Sequence, residues 1–228
     1  MSEWWTYRLE DFLLFSPRVY WRMFELHNAA VWPLQIGALL LGAAILVWTV
    51  RPKPWSDRVI WVVVGAAWIF VGWTFLWSRY SAINWAAAYA LPVFAEEGLL
   101  LAWFGSWRRG IQGASRSAIE RVAGLGIFFY ALAIHPLVAV FAGRPFVAAE
   151  TFAIAPDPTA IATLGLLVMR SGGAVTWALT AVPLGWCIVS WATLRAMEAS
   201  EAWVPLTAAG IALAARGLPI GAKAHSTA

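Results

Sequence analysis

The sequence predicts an all-α fold, a polytopic transmembrane helix bundle of about seven spans, and three observations predict it. Hydrophobic residues make up 61% and charged residues only 12% of 228 positions, against about 25% charged in a soluble domain, and the mean hydropathy is +0.70. Seven apolar runs approach the ~20 residues that a helix needs to cross ~30 Å of hydrocarbon. Lys and Arg collect in alternate loops. No Pro/Gly/Ser-rich linker divides the chain, so 1–228 reads as a single integral membrane domain: an interfacial helix region (1–30), a bundle (31–220) and a short cytoplasmic tail (221–228).

The elements follow in order. In SPRVYWRMFELHN, Ser16-Pro17 is a helix start, after which Arg18, Arg22 and Glu25 share one stripe while Tyr20, Trp21, Phe24 and Val31 cover another side. Such an amphipathic helix lies in the interface plane, with Trp4, Trp5 and Tyr7 added to an aromatic belt. The spans then run 31–50, 59–77, 82–104, 122–142, 148–169, 174–194 and 202–220, the fifth and seventh carrying the weakest signal. Asp57 precedes span two, Ser81 precedes span three, and Ser117 with Glu120 forms a capping box before span four.

Span five is irregular. Asp157-Pro158 signals a helix start, after which about 12 apolar residues, enough for roughly 18 Å, precede Arg170. The segment ETFAIAPDPTAIATLGLL therefore reads as a broken helix or a re-entrant hairpin, tolerated only where protein or water surrounds it.

Orientation comes from the loops. Arg51, Lys53, Arg58, Arg108, Arg109, Arg116, Arg121, Arg170, Arg216 and Lys223 fall on one side, against Arg8, Arg18, Arg22, Arg79, Arg144 and Arg195 on the other. The amino terminus is placed outside and the carboxyl terminus in the cytoplasm. The net charge of +4 then serves orientation, and no nucleic-acid partner is expected. The start, MSEWWTYRLEDF, carries Glu3, Glu10 and Asp11 ahead of any long apolar core, so no cleaved signal peptide is expected there. Cys187 is the only cysteine, which excludes an internal disulfide and a multi-thiolate zinc site.

Ionisable groups at membrane depth are functional candidates by default. In LPVFAEEGLLLAWF, Glu96 and Glu97 sit near the middle of span three, about 100° apart around the helix. Trp85, Tyr89, Pro92 and Trp103 surround Glu96, and Pro92 leaves the Ala88 carbonyl free and kinks the helix there. The Glu96 face is therefore read as the lining of a cavity, with Tyr89 beside it. Two adjacent anions in low dielectric repel each other, so at least one is expected to carry a proton. The structural alternative is a neutral carboxylic acid bonded to a backbone carbonyl or an indole N–H.

His135-Pro136 is the second constellation, a proton carrier or a histidine satisfied by Trp, Tyr or backbone partners. A bis-histidine haem is not expected, because the other histidines are His27 near an interface and His225 in the tail. Glu150, Asp157 and Thr159 form the third, a half-helix site of the kind that holds a small solute; the structural alternative has Asp157 as a helix cap and Glu150 solvated. No metal site and no catalytic set is assigned, and no cofactor is identified. The 17 tryptophans exceed what two interfacial belts need; Trp61, Trp68, Trp73 and Trp77 recur at spacings of 7, 5 and 4, as one broad aromatic side.

Enzyme patterns fail on specific positions. The EExxxR pattern of CAAX-type intramembrane proteases would need Arg where Leu101 stands, and Ala139 rather than a polar ligand follows four residues after His135. Retinal has no Schiff-base partner, since the lysines are Lys53 and Lys223, in a loop and the tail. The stretches WWTYRLEDFLLFSPRVYWRMFELHNAAVWPLQ and ETFAIAPDPTAIATLGLL resemble the DUF6064 family over most of the chain. The resemblance implies a multi-pass bacterial inner-membrane protein and brings no assigned activity.

The expectation is thus a small membrane protein that binds or passes a small solute or proton through a polar site inside the bundle. The alternative is a non-catalytic accessory or assembly subunit of a larger membrane complex, holding a lipid-like cofactor. The partners expected are the lipid bilayer and either a membrane protein or a second copy of the chain.

Overall fold

The computed structural model describes residues 14–106, 111, 117–170 and 173–217. Trp4, Trp5, Tyr7, Arg8, Arg108, Arg109, Arg116, Lys223 and His225 lie outside these. Nine α-helices follow in order among the described residues: α1 (Pro17–Ala30), α2 (Leu34–Val50), α3 (Ser56–Val71), α4 (Ala90–Ser106), α5 (Ala118–Phe129), α6 (His135–Phe141), α7 (Pro156–Val168), α8 (Ala174–Ala196) and α9 (Trp203–Gly217). No β-strand occurs among them.

Each of the seven apolar runs contains helix, but they are not seven equal crossings. Among the described residues four continuous helical stretches are long and apolar enough to cross a membrane: Ser56–Ala82, Trp85–Ser106, Ala118–Phe141 and Ala174–Ala196. A fifth results if α1 and α2, bent by 87°, count as one. Three of the seven runs form shorter helices: α2, α7 and α9 have 17, 13 and 15 residues, against the ~20 of a straight crossing.

Helix ends follow the sequence chemistry with two changes. Ser16 Oγ accepts from Val19 N at 3.4 Å, with Pro17 opening α1. The Ser117–Glu120 capping box forms, with Glu120 N donating to Ser117 Oγ at 3.1 Å. Before α4, however, Asn84 rather than Ser81 caps, its Oδ1 accepting from Ala86 N at 3.1 Å. The chain runs through a 3₁₀ turn, Trp85–Tyr89, and Pro92 falls in the first turn of α4, where a missing N–H costs little. The expected mid-helix kink is thus a change of helix type at Ala90.

Two π turns, Gly72–Trp77 after α3 and Tyr130–Ile134 after α5, each shift the helical register. Trp61 and Trp68, seven residues apart, are wholly buried, whereas Trp73 and Trp77 point outward. This corrects the single aromatic side read from their spacing, because five residues turn about 140° further around a helix.

Close backbone approach holds the bundle. A methyl group on Gly98 of α4 would lie 2.5 Å from the Gly65 carbonyl of α3, and one on Gly165 of α7 would lie 2.7 Å from the Gly124 carbonyl of α5. Small residues at such crossings let helices pack by dispersion where lipid supplies no hydrophobic drive.

Residues 148–170 are all buried, 23 in succession. This segment, with α7 as its helical half, is the core around which α3, α5, α8 and α9 pack. The buried start of α7 explains its two prolines. A helix start leaves four N–H groups unpaired. Pro156 and Pro158 have none, and Ala155 N donates to the Thr151 carbonyl at 2.9 Å, leaving that of Asp157. At the other end, Arg216 donates to the Leu167 carbonyl at 2.6 Å, a cation on the carbonyl end of the helix.

Two ion pairs mark the ends of the segment. Arg170 grips both carboxylate oxygens of Asp57, at the start of α3, at 2.7 and 3.0 Å. Arg144 pairs at 2.6 Å with Glu201, between α8 and α9, and lies 3.3 Å over the ring of Trp21 in α1.

Candidate functional site

The fifth segment is not a continuous helix, and its irregular half carries the polar groups. Ala153 adopts a left-handed conformation (φ 62°). Its N–H donates to Thr159 Oγ1 at 3.0 Å, and that hydroxyl donates to the Ala155 carbonyl at 2.7 Å. Thr159, expected at a solute site, here staples the turn that opens α7.

Helix α1 closes over this turn. His27 Nε2 lies 3.2 Å from the Ile154 carbonyl, and Asn28 Nδ2 donates to the Val147 and Ala149 carbonyls at 2.7 and 2.8 Å. The amphipathic stripe is as expected: Tyr20 and Phe24 are buried, whereas Arg18 and Arg22 are exposed, Arg22 pairing with Glu25. Tyr20 and Phe24 meet Tyr80 and Phe75, while His27 and Asn28 reach the irregular backbone of the fifth segment, whose peptide groups must find partners away from water.

Asp157 is buried as the second residue of α7, and the sequence expectation that it caps the helix is corrected. Ala155 occupies the cap position in extended conformation. The Asp157 carboxylate turns instead to α8, where Trp186 Nε1 donates to Oδ1 at 2.7 Å and Ser190 Oγ donates to Oδ2. Trp186 and Ser190 are four residues apart and so share one helix face.

His135 and Glu150 complete the cluster. His135 opens α6 directly after a π turn, and Pro136 follows it. Its Nε2 lies 3.9 Å from Glu150 Oε2, beyond hydrogen-bond reach but within that of an ion pair once the ring is protonated. The ring meets Tyr130 edge-on at 5.8 Å, and Nδ1 is buried with no hydrogen-bond partner among the described residues. Glu150 is buried rather than solvated. Glu150, His135 and Asp157 are close enough to act on one another electrostatically.

The carboxylates of α4 stand apart. Glu97 is buried, with 1% of its surface exposed, and Glu96 is exposed. Trp85, Tyr89 and Trp103 around Glu96 also face outward. Glu96 does line a cavity, as expected, but it is the exposed member of the pair, and Glu97 is the one turned into the bundle. Helix α4 packs against α3 through Gly98, one residue after Glu97, and this crossing turns Glu97 inward. Both carboxylates border a cavity between α4 and α8 rather than the Asp157 cluster.

Of the sequence candidates, the structure brings together His135, Glu150, Asp157 and Thr159, and it separates Glu96, Glu97 and Tyr89 from them. It adds His27, Asn28, Trp186 and Ser190. The one local signal for these was Ser190 one turn from Trp186 in an apolar helix, since the partners of His27 and Asn28 lie more than a hundred residues away. Among the described residues no group of three or more His, Cys, Asp or Glu could hold a metal ion.

The family model of DUF6064, described as a family of unknown function, matches residues 17–217. No curated protein and no solved structure matches the chain. With the match spanning nearly all the described residues, the chain belongs to the DUF6064 family.

Proposed function

We propose that this is an inner-membrane protein of bacterial type that carries a proton, or a small solute coupled to one, through the His135–Glu150–Asp157 cluster. One observation carries the reading: three ionisable side chains from α6, the irregular turn and α7 meet inside a helical bundle, where such groups are costly and mark proton or solute paths. Each member has a proton role. The His135 imidazole has two ring nitrogens, one of which can hold a proton while the other accepts one. Asp157, held by an indole and a hydroxyl donor, can release a proton while its anion stays hydrogen-bonded. Glu150 lies 3.9 Å from the His135 ring and acts electrostatically on Asp157, so a charge gained at one member changes the field at the others.

The broken segment suits this role. Discontinuous helices in transporters place a site near the membrane midplane and line it with unwound backbone. We read the chain as passing seven times, amino terminus outside and carboxyl terminus in the cytoplasm. Two observations support that reading. Arg144 is tied to the turn between α8 and α9, whereas Arg170 is tied to the start of α3, so residues 144–170 run from one end of the bundle to the other. The basic residues Arg121 and Arg170 border one cavity with the end of α2, as inside-facing loops require.

The test is proton entry into vesicles containing an enclosed pH dye, driven by a potassium diffusion potential. Vesicles with protein are expected to acidify faster than empty ones, and His135→Gln is expected to remove most of the difference. Equal rates in protein-containing and empty vesicles would contradict the reading.

A further inference from the structure

We propose that the groove between α4 and α8 binds an amphiphilic primary amine, a protonated amine on an apolar tail, with its head on Glu96 and Glu97. The proposal goes beyond the proton reading and stands without it, because the residues and the face of the bundle are different.

The groove is a cavity of about 510 Å³ lined by Glu96, Glu97 and eight apolar residues, among them Phe104, Leu179 and Val182. This volume falls within the ~300–1,000 Å³ typical of small-molecule sites. Glu97 is 1% exposed, borders the cavity, and its Oε1 is buried with no hydrogen-bond partner among the described residues. An acceptor left so in a low-dielectric site is costly until a donor reaches it. Among the described residues no Lys, Arg or His lines the cavity, so we take the donor and the positive charge to come with the ligand.

The tail has a path. A second cavity, of about 500 Å³, shares Val93 and Val182 with the first and continues along the same two helices to Tyr80 and Thr193. From Ala174 to Thr193 the two together follow α8 over roughly 28 Å at ~1.5 Å per residue. An alkyl chain is thus accommodated with its carbons on Val and Ala side chains. A phosphatidylethanolamine headgroup fits less well, since its phosphate would find no cation among the described lining residues.

The test captures the amine on the acid that holds it. Protein in phosphatidylcholine nanodiscs is mixed with n-decylamine and a hydrophobic carbodiimide, which joins a carboxyl and a neighbouring amine as an amide with loss of water, and the adduct is located by mass spectrometry. The expected product is a decylamide on Glu97 or Glu96, severalfold above that on the exposed acid Glu198. Ethylamine at equal concentration, lacking the tail, should give far less. Ala178→Trp, an exposed lining position whose indole would fill the groove, should remove the excess. Adducts spread evenly over Glu96, Glu97 and Glu198, equal capture of ethylamine, or no adduct on α4 would overturn the proposal. Preferential capture of phosphatidylethanolamine from mixed discs would overturn the assignment to a phosphate-free amine. The ethylamine comparison uses the unaltered protein, so the answer does not depend on a variant folding.

Discussion

The indole N–H of Trp186 donates to Oδ1 of Asp157 over 2.7 Å, joining the middle of α8 to the buried start of α7. The Trp186 ring also meets Phe94 of α4 edge-on at 4.9 Å. One side chain thus holds the carboxylate and lines the cavity along α4.

Trp186→Phe keeps a ring for packing and removes the donor. A hydrogen bond to a charged group contributes about 1.5–3 kcal/mol, and a loss of that order is expected in thermal unfolding in detergent. In the Asp157→Asn background the same change should cost clearly less, since the pair is already altered. Equal costs in both backgrounds would mean that the bond contributes nothing.

Arg170 and Asp57 form a bidentate pair with the Asp57 side chain 41% exposed. Solvent screening limits such a pair to about 1 kcal/mol or less. Arg170→Lys retains the charge but not the fork, so it should recover only part of what Arg170→Ala loses. Thermal unfolding of the two variants checks this, and full recovery by Lys would contradict the bidentate geometry.

The cluster was partly legible in the residues themselves. His135, Glu150 and Asp157 stood out because charge is rare in apolar runs, and APDPT announced a helix start because proline is tolerated only in the first turn. What could not be read was direction. Glu96 and Glu97 differ by ~100° around one helix, and which of them points inward depends on the Gly65–Gly98 crossing, a contact between helices. The aromatic neighbours that favoured Glu96 suit an outward face equally well. Asp157 followed the same logic: an acid beside a helix start reads as a cap, and only the presence of Trp186 and Ser190 on a later helix redirects it.

Gly165 lies where α7 crosses α5, and a methyl group there would meet the Gly124 carbonyl at 2.7 Å. Overpacking of this kind costs about 1–3 kcal/mol. Gly165→Ala should lower the unfolding temperature, whereas Gly126→Ala, one turn from no neighbour, should not. Equal effects at the two positions would contradict the crossing.

Cys187, next to Trp186, is buried and free. In native membranes it should resist N-ethylmaleimide and react after denaturation. Trp186→Ala opens space beside it and should raise its labelling rate. Rapid labelling of the unaltered protein would show that the interior near Asp157 is open to reagents of that size.

The most direct test of the central claim compares proton entry into vesicles for the unaltered protein, Asp157→Asn and the exposed-acid control Glu198→Gln, with equal amounts of folded protein in each. The account predicts that Asp157→Asn falls by about a hundredfold or more, the low end of what one positioned proton-transfer group contributes, while Glu198→Gln keeps the full rate. Unchanged entry with Asp157→Asn would contradict it.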